Sequence, residues 1–152
     1  MWKTLLRLSL LLFILITASC KDDPCPQHQQ LPLVSAEEEY GCVDTRYGLK
    51  LALQEDFVVV RSQADFDLVV ASSTCDMVID FSVYDLIIGN KTLPSGNRSV
   101  DYTLSRLCPG NNYLLQVVFN QDQSTVAPRI TYHALVPKLK RSEDVEVDIV
   151  VR

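Results

Sequence analysis

Few side chains in this sequence suit acid–base or nucleophilic chemistry. There are two histidines, His28 and His133. His133 lies between Tyr132 and Ala134 in an alternating run, so it and Tyr132 point to opposite faces of a strand. It could act as a base or a ligand, paired with an acid in a hydrolytic site. The pattern favours a hydrogen-bonded structural histidine. His28 sits in a polar, proline-bearing stretch and reads as solvated. Among the acids, Asp80 and Asp85 are the best carboxylate pair. Five residues apart on one strand, they point to opposite faces and cannot share a proton or flank one bond. Asp80 with Tyr84 on its own face, and His133, are the candidates for a polar binding surface. No GxSxG, HExxH, Walker A or GxGxxG pattern occurs. The expectation is a chain that is not an enzyme and takes no cofactor or metal.

The five cysteines form an odd set that the N-terminus resolves. Residues 1–19, MWKTLLRLSLLLFILITAS, carry Lys3 and Arg7, then an apolar run from Leu8, then small residues. This is a basic, apolar and cleavage region in the order of a signal peptide. The apolar run is too short to span a bilayer, which takes roughly 20 residues. Thr17-Ala18-Ser19-Cys20 resembles a bacterial lipobox. That resemblance implies a lipid on the Cys20 sulfur and a new N-terminus there, with palmitate among the acyl chains. Lys21-Asp22-Asp23 resembles the surface-export signal of Bacteroidota lipoproteins, which implies the outer face of the outer membrane; the alternative is its periplasmic face. Cys25, Cys42, Cys75 and Cys108 remain, an even number in an oxidising compartment, so disulfides are expected. Three pairings are open. We favour Cys25–Cys42, pinning the tether to the domain edge, and Cys75–Cys108, joining a loop before one strand to the end of another. No CxxC is present to support a zinc site.

Loss of residues 1–19 leaves 133 of the 152 residues and removes Lys3 and Arg7, so the net charge falls from −5 to −7. Such a balance excludes a general nucleic-acid binder, which needs a basic face. Lys138, Lys140 and Arg141 are too small a cluster to reverse it. Residues 20–39, with three prolines and Glu37-Glu38-Glu39, read as a tether whose acidic run is solvated. Residues 40–152 read as a single β-rich domain.

Elements within that domain follow from periodicity. Leu49, Leu51 and Leu53 alternate with polar neighbours as a half-buried strand, and Phe57–Val60 is a β-branched strand. In residues 62–71, Ser62 and Asp65 stand at capping-box spacing, and Phe66, Val69 and Val70 share a helical face. A short helix is preferred there over a strand. A strand follows with Ile79, Phe81, Val83 and Ile87 on one side. Val100, Tyr102 and Leu104 form another, joined through Pro109-Gly110-Asn111-Asn112 to YLLQVVFN as a hairpin. Ile130 to Val136 alternate up to Pro137, and Val145 to Val151 close the chain. Val150 beside Val151 suggests that this last strand lies in mid-sheet. The connections look too short for parallel crossovers except around the helix. The expected class is mainly β (α+β): a compact antiparallel sheet or sandwich-like domain with one short helix, stapled by disulfides.

The segments VIDFSVYDLIIG, GNRSVDYTLSRL, YLLQVVF and APRITYHALVPKL resemble the C-terminal domain of the PrcB-type protease-complex subunit family, over about residues 57–151. The likeness rests on Ile79-Asp80-Phe81, Gly89, the strand around Tyr102, Pro128 and Pro137. Asp101 stands where the family has glycine, and its Arg-Pro-Thr turn is absent. The resemblance implies a small secreted β-rich domain, some members of which partner a subtilisin-like protease. The expected function is therefore a lipid-anchored, non-catalytic binding or assembly module with an envelope or protease protein as partner. The alternatives are a structural surface lipoprotein and a hydrolase with an unrecognised site.

Overall fold

A computed structural model of the chain describes residues 28–53, 56–108, 112–141 and 144–152. The expectations for the signal peptide, Cys20, Lys21-Asp22-Asp23, Cys25 and most of the Pro109–Asn112 turn lie outside these residues. Among the described residues there are nine strands and three short helices. The strands are β1 (His28–Leu31), β2 (Lys50–Leu51), β3 (Phe57–Val60), β4 (Val70–Ser72), β5 (Tyr84–Thr92), β6 (Asn97–Leu107), β7 (Tyr113–Gln121), β8 (Arg129–Pro137) and β9 (Val145–Val151). The helices are α1 (Ala36–Tyr40), α2 (Thr45–Gly48) and α3 (Gln63–Val69).

Two sheets, in the orders β1-β6-β7-β9 and β3-β5-β8, share one core, and β2 pairs with β4 apart from them. Alternation on β8 divides the interior into two. Ile130, Tyr132, Ala134 and Val136 join Leu115, Val117 and Phe119 of β7 in the core between the sheets. Leu135 faces the other way, into a second core with Leu86 and Ile88 of β5, Val60, and Ala36, Leu49, Phe66, Met77 and Ile79 from the helices and loops. β5 is therefore apolar on both faces and buried from Asp85 to Gly89. Phe119 and Tyr132 meet edge to face, 6.1 Å apart at 75°, an arrangement that adds about 1 kcal/mol to area burial. Tyr132 also lies across its β5 partner Gly89 and donates its hydroxyl to the Asp56 carbonyl at 3.2 Å. A Cβ at Gly89 would stand against that hydroxyl and 2.5 Å from the Asp56 oxygen.

The mainly-β class, the short helix at α3 and the disulfide reinforcement are all present. Ser62 caps α3, accepting from the Asp65 N–H at 3.1 Å while its hydroxyl donates to the Asp65 carboxylate at 2.7 Å. The β6–β7 hairpin runs from Asn97↔Gln121 to Arg106↔Tyr113.

Several expectations are corrected. Residues 28–39 are not a tether. β1 pairs with β6, Val34 bridges Leu135, and Ala36 is buried, because Leu31, Leu33, Val34 and Ala36 supply apolar groups that the prolines had masked in the pattern. Two further short helices, α1 and α2, follow. The strand expected over 49–53 shrinks to Lys50–Leu51. Residues 77–83 are not strand but a loop that ends in a turn at 81–83, since Asp80 accepts from the Ser82 N–H at 3.0 Å and from the Ser82 hydroxyl at 2.5 Å, an Asx turn. Met77 and Ile79 are buried from that loop. β9 lies at a sheet edge, parallel to β7. The link from β7 to β9 passes through β8 in the facing sheet, which gives it the length a parallel crossover needs.

The favoured disulfides are also overturned. Cys42 pairs with Cys75, their Cα atoms 5.8 Å apart. Both cysteines sit in the helix-and-loop layer against β3-β5-β8, so pairing follows the layer and not nearness along the chain. Cys108, at the end of β6, is disulfide-bonded too, to a partner outside the described residues.

Candidate functional site

A cleft of about 240 Å³ opens where residues 35–46 cross the edge of β8. Its wall begins at Ser35, whose hydroxyl oxygen accepts from the Glu37 N–H at 3.2 Å and caps α1. Gly41, at φ 64°, ends α1, and Asp44, at φ 53°, turns the chain into α2. Asp is one of the few L-residues that tolerates this left-handed geometry. The Asp44 side chain makes no cap for α2. Glu37 supplies the cap instead, its Oε1 accepting from the Thr45 N–H at 2.7 Å and from the Thr45 hydroxyl at 2.5 Å.

His133 completes the group. Its Nε2 lies 2.6 Å from Thr45 Oγ1. The threonine hydroxyl has one proton, and Glu37 as a carboxylate can only accept. With the Thr45 hydroxyl donating to Glu37, His133 must carry its own proton on Nε2 and donate a hydrogen bond to Thr45. The chain therefore runs His133 to Thr45 to Glu37, and Nδ1 is left a buried acceptor with no partner. Burial holds the imidazole down at about 4, against a smaller opposing pull from the Glu37 carboxylate. His133 is thus neutral at pH 7. Its backbone N–H donates to the Tyr102 hydroxyl at 3.3 Å. Burial in turn pushes Tyr102 above its ordinary value.

Arg46 closes the opposite side. It donates to the Arg98 carbonyl at 2.8 Å and to Asn97 Oδ1 at 3.3 Å, pairs with Asp44 at 3.6 Å, and lies over the Tyr47 ring at 5.1 Å. Glu37, Asp44 and Arg46 leave the cleft one negative charge in excess. Thr131 and Leu135 extend the same contact line. Thr131 donates its hydroxyl to the Leu49 carbonyl at 2.8 Å, and Leu135 exchanges backbone hydrogen bonds with Val34 at 3.0 and 3.1 Å. Alternate residues of β8 thus hold Leu49, Thr45 and Val34, so the 34–49 arm is strapped along the strand at three points.

The expected surface of Asp80, Tyr84 and His133 is not assembled. Asp80 is in the turn before β5, exposed, its carboxyl held below the usual range by hydrogen bonds from Ser82. Tyr84 opens β5 opposite Pro137, whereas His133 pairs with Ile88. Asp85 was expected only as half of a carboxylate pair. It is fully buried and bonded to Lys138, to Arg61 at 3.3 Å and to the Leu139 N–H at 2.8 Å. An aspartate opening the apolar run Leu86-Ile87-Ile88 was the available signal, since a buried carboxylate needs partners. Glu37, Thr45, Arg46 and Tyr102 carried no comparable signal. Among the described residues no group of three histidine, cysteine or acidic side chains is placed to hold a metal ion, and no helix is long and apolar enough to cross a membrane.

The chain matches no family model, no curated protein and no solved structure.

Proposed function

We propose that this chain is a lipid-anchored, non-catalytic binding module of the bacterial outer membrane, displayed on the cell surface, whose partner is an envelope or secreted protease or another envelope protein. The hydrogen-bond polarity in the cleft carries the non-catalytic reading. A histidine that activates a hydroxyl must accept its proton. Here His133 donates to Thr45, and the Thr45 proton is committed to Glu37. The lipobox at Cys20, the Lys21-Asp22-Asp23 run and the resemblance to the protease-complex subunits support the anchor and the class of partner. With Cys42 joined to Cys75 and Cys20 assigned to lipid, Cys25 is left for Cys108.

Affinity capture from a membrane fraction with the tagged full chain tests the module. A stoichiometric protein partner is expected, and its absence would count against the reading. A hydrolase panel run in parallel should show no activity; turnover that disappears in His133→Ala would replace the module with an enzyme. Cys20→Ala should leave the precursor unlipidated and out of the membrane pellet.

A further inference from the structure

We infer that the outer edge of β9 is a docking strand for an extended segment of a partner protein in which basic and apolar residues alternate. The inference rests on the binding-module reading and names the surface that reading would use. β9 ends the sheet order β1-β6-β7-β9, and among the described residues it pairs with β7 alone, in unbroken register from Val145 to Val151. Its backbone polarity can be read from one end. Arg152 donates its N–H to Phe119 at 3.0 Å and accepts from the Gln121 N–H at 2.8 Å. Backbone groups of successive strand residues point to alternate sides, so residues 146, 148 and 150 also face β7. The N–H and C=O groups of Val147, Ile149 and Val151 then face outward, a row of donors and acceptors ready for another strand.

Side chains fix the chemistry of what fits there. Glu146 and Asp148 are exposed on the outer face of the sheet, with Asp101 exposed two strands inward. On the inner face, cover thins along the strand: Val145 is buried, Val147 and Ile149 are half-buried, and Val151 is 38% exposed. An added strand would set its residues beside these on both faces. Basic side chains would meet Glu146 and Asp148, and apolar ones would cover Val147, Ile149 and Val151. A second copy in the antiparallel register that centres on Val147 fits poorly, because it sets Glu146 opposite Asp148 twice over, and like charges across strands destabilise. The N-terminal residues enter the sheet at β1, the opposite edge, three strand spacings or about 14 Å away.

The test uses the full mature chain and two synthetic octapeptides of equal composition, one alternating Lys and Val, the other with four Lys followed by four Val. The alternating peptide should bind at least tenfold more tightly and slow hydrogen exchange at the Val147, Ile149 and Val151 amides. Ile149→Pro removes one outward N–H and spares the β7 ladder, and should weaken binding about tenfold. Glu146→Lys with Asp148→Lys should transfer the preference to an alternating Glu–Val peptide, which keeps the test alive if the proline variant misfolds. Equal binding of the two Lys peptides, protection confined to other strands, or a self-association that Glu146→Lys relieves would each overturn the proposal. An envelope partner captured undiminished by a folded Ile149→Pro chain would remove the edge and leave the module. Peptide docking on β9 with no envelope partner recovered would do the reverse.

Discussion

Among the groups through which acid acts on the fold of this protein, His133 is one whose effect has a sign and size that follow from the structure. Burial lowers its folded value from 6.5 to about 4. Below pH 6.5 the unfolded chain takes up a proton that the folded chain refuses. Stability is therefore fully present above about pH 6.5, falls as pH drops toward 4, and levels off below that. A shift of roughly 2.5 units corresponds to about 3 kcal/mol at full extent. Glu37, Thr45, Arg46 and Tyr102 face the imidazole from α1, α2 and β6, and carboxylates elsewhere add their own slope. The experiment therefore needs a difference. In a His28→Gln background His133 is the sole histidine, and His133→Gln keeps an amide that can donate to Thr45. Urea unfolding of both chains at fixed ionic strength, from pH 7.5 to pH 4, isolates the term. The His133 chain should lose about 3 kcal/mol more than the Gln chain across that window. Parallel curves, or an imidazole that titrates near 6.5 in a nuclear magnetic resonance titration, would refute the burial argument. The same spectra should show the proton on Nε2; a proton on Nδ1 would undo the inferred hydrogen-bond polarity.

Other perturbations test other parts of the molecule. Asp85→Ala should cost about 3 kcal/mol by chemical denaturation, since it strips a fully buried carboxylate from Arg61, Lys138 and the Leu139 N–H; a loss below 1 kcal/mol would mean the cluster is worth no more than a surface pair. Gly89→Ala should destabilise by 2 kcal/mol or so, because its methyl group displaces Tyr132 or the Asp56 backbone; a neutral thermal melt would contradict that packing. Peptide mapping without reduction should recover Cys42 linked to Cys75 and Cys108 linked to Cys25. Replacing Cys42 and Cys75 together by alanine should cost about 4 kcal/mol for a 33-residue separation.

What could be read from the sequence, and what could not, divides along a physical line. Period-two alternation located β6, β7 and β9, because each buries one face against the core between the sheets, and β8, because its second buried face carries polar Thr131 and His133. Ser62 and Asp65 located α3, because a cap is local chemistry. Where contacts are non-local the pattern failed. β5 is buried on both faces, so Asp85 looked like one more strand position when it is a buried ion-pair centre. Residues 34–49 have no periodicity because their folded course is set by β8, through Val34–Leu135, Thr45–His133 and Leu49–Thr131. The cleft belongs to that arm, so most of its residues were invisible as a site. His133 was legible as a hydrogen-bonded structural histidine and was assigned the wrong neighbours; its burial was not legible.

The three-point strap also decides what a loss of the His133 contact can do. Val34 and Leu49 are held by backbone carbonyl and amide groups that no side-chain substitution at 133 removes, and Cys42–Cys75 ties the intervening loop to the layer beneath. Thr45 is the middle point, and Glu37 would still cap α2 without the imidazole. Opening is therefore confined to residues between 35 and 48, and it exposes the cleft without unpairing β8 from β5. Local opening of that kind costs less than global unfolding and shows in amide exchange. In His133→Ala, which leaves no donor for Thr45, the Thr45 and Tyr47 amides should exchange faster while those of Ile87 and Ala134 keep the global rate. Uniform acceleration across all four would mean that the arm and the sheet unfold as one unit, and that the cleft has no independent opening through which a ligand or partner could act.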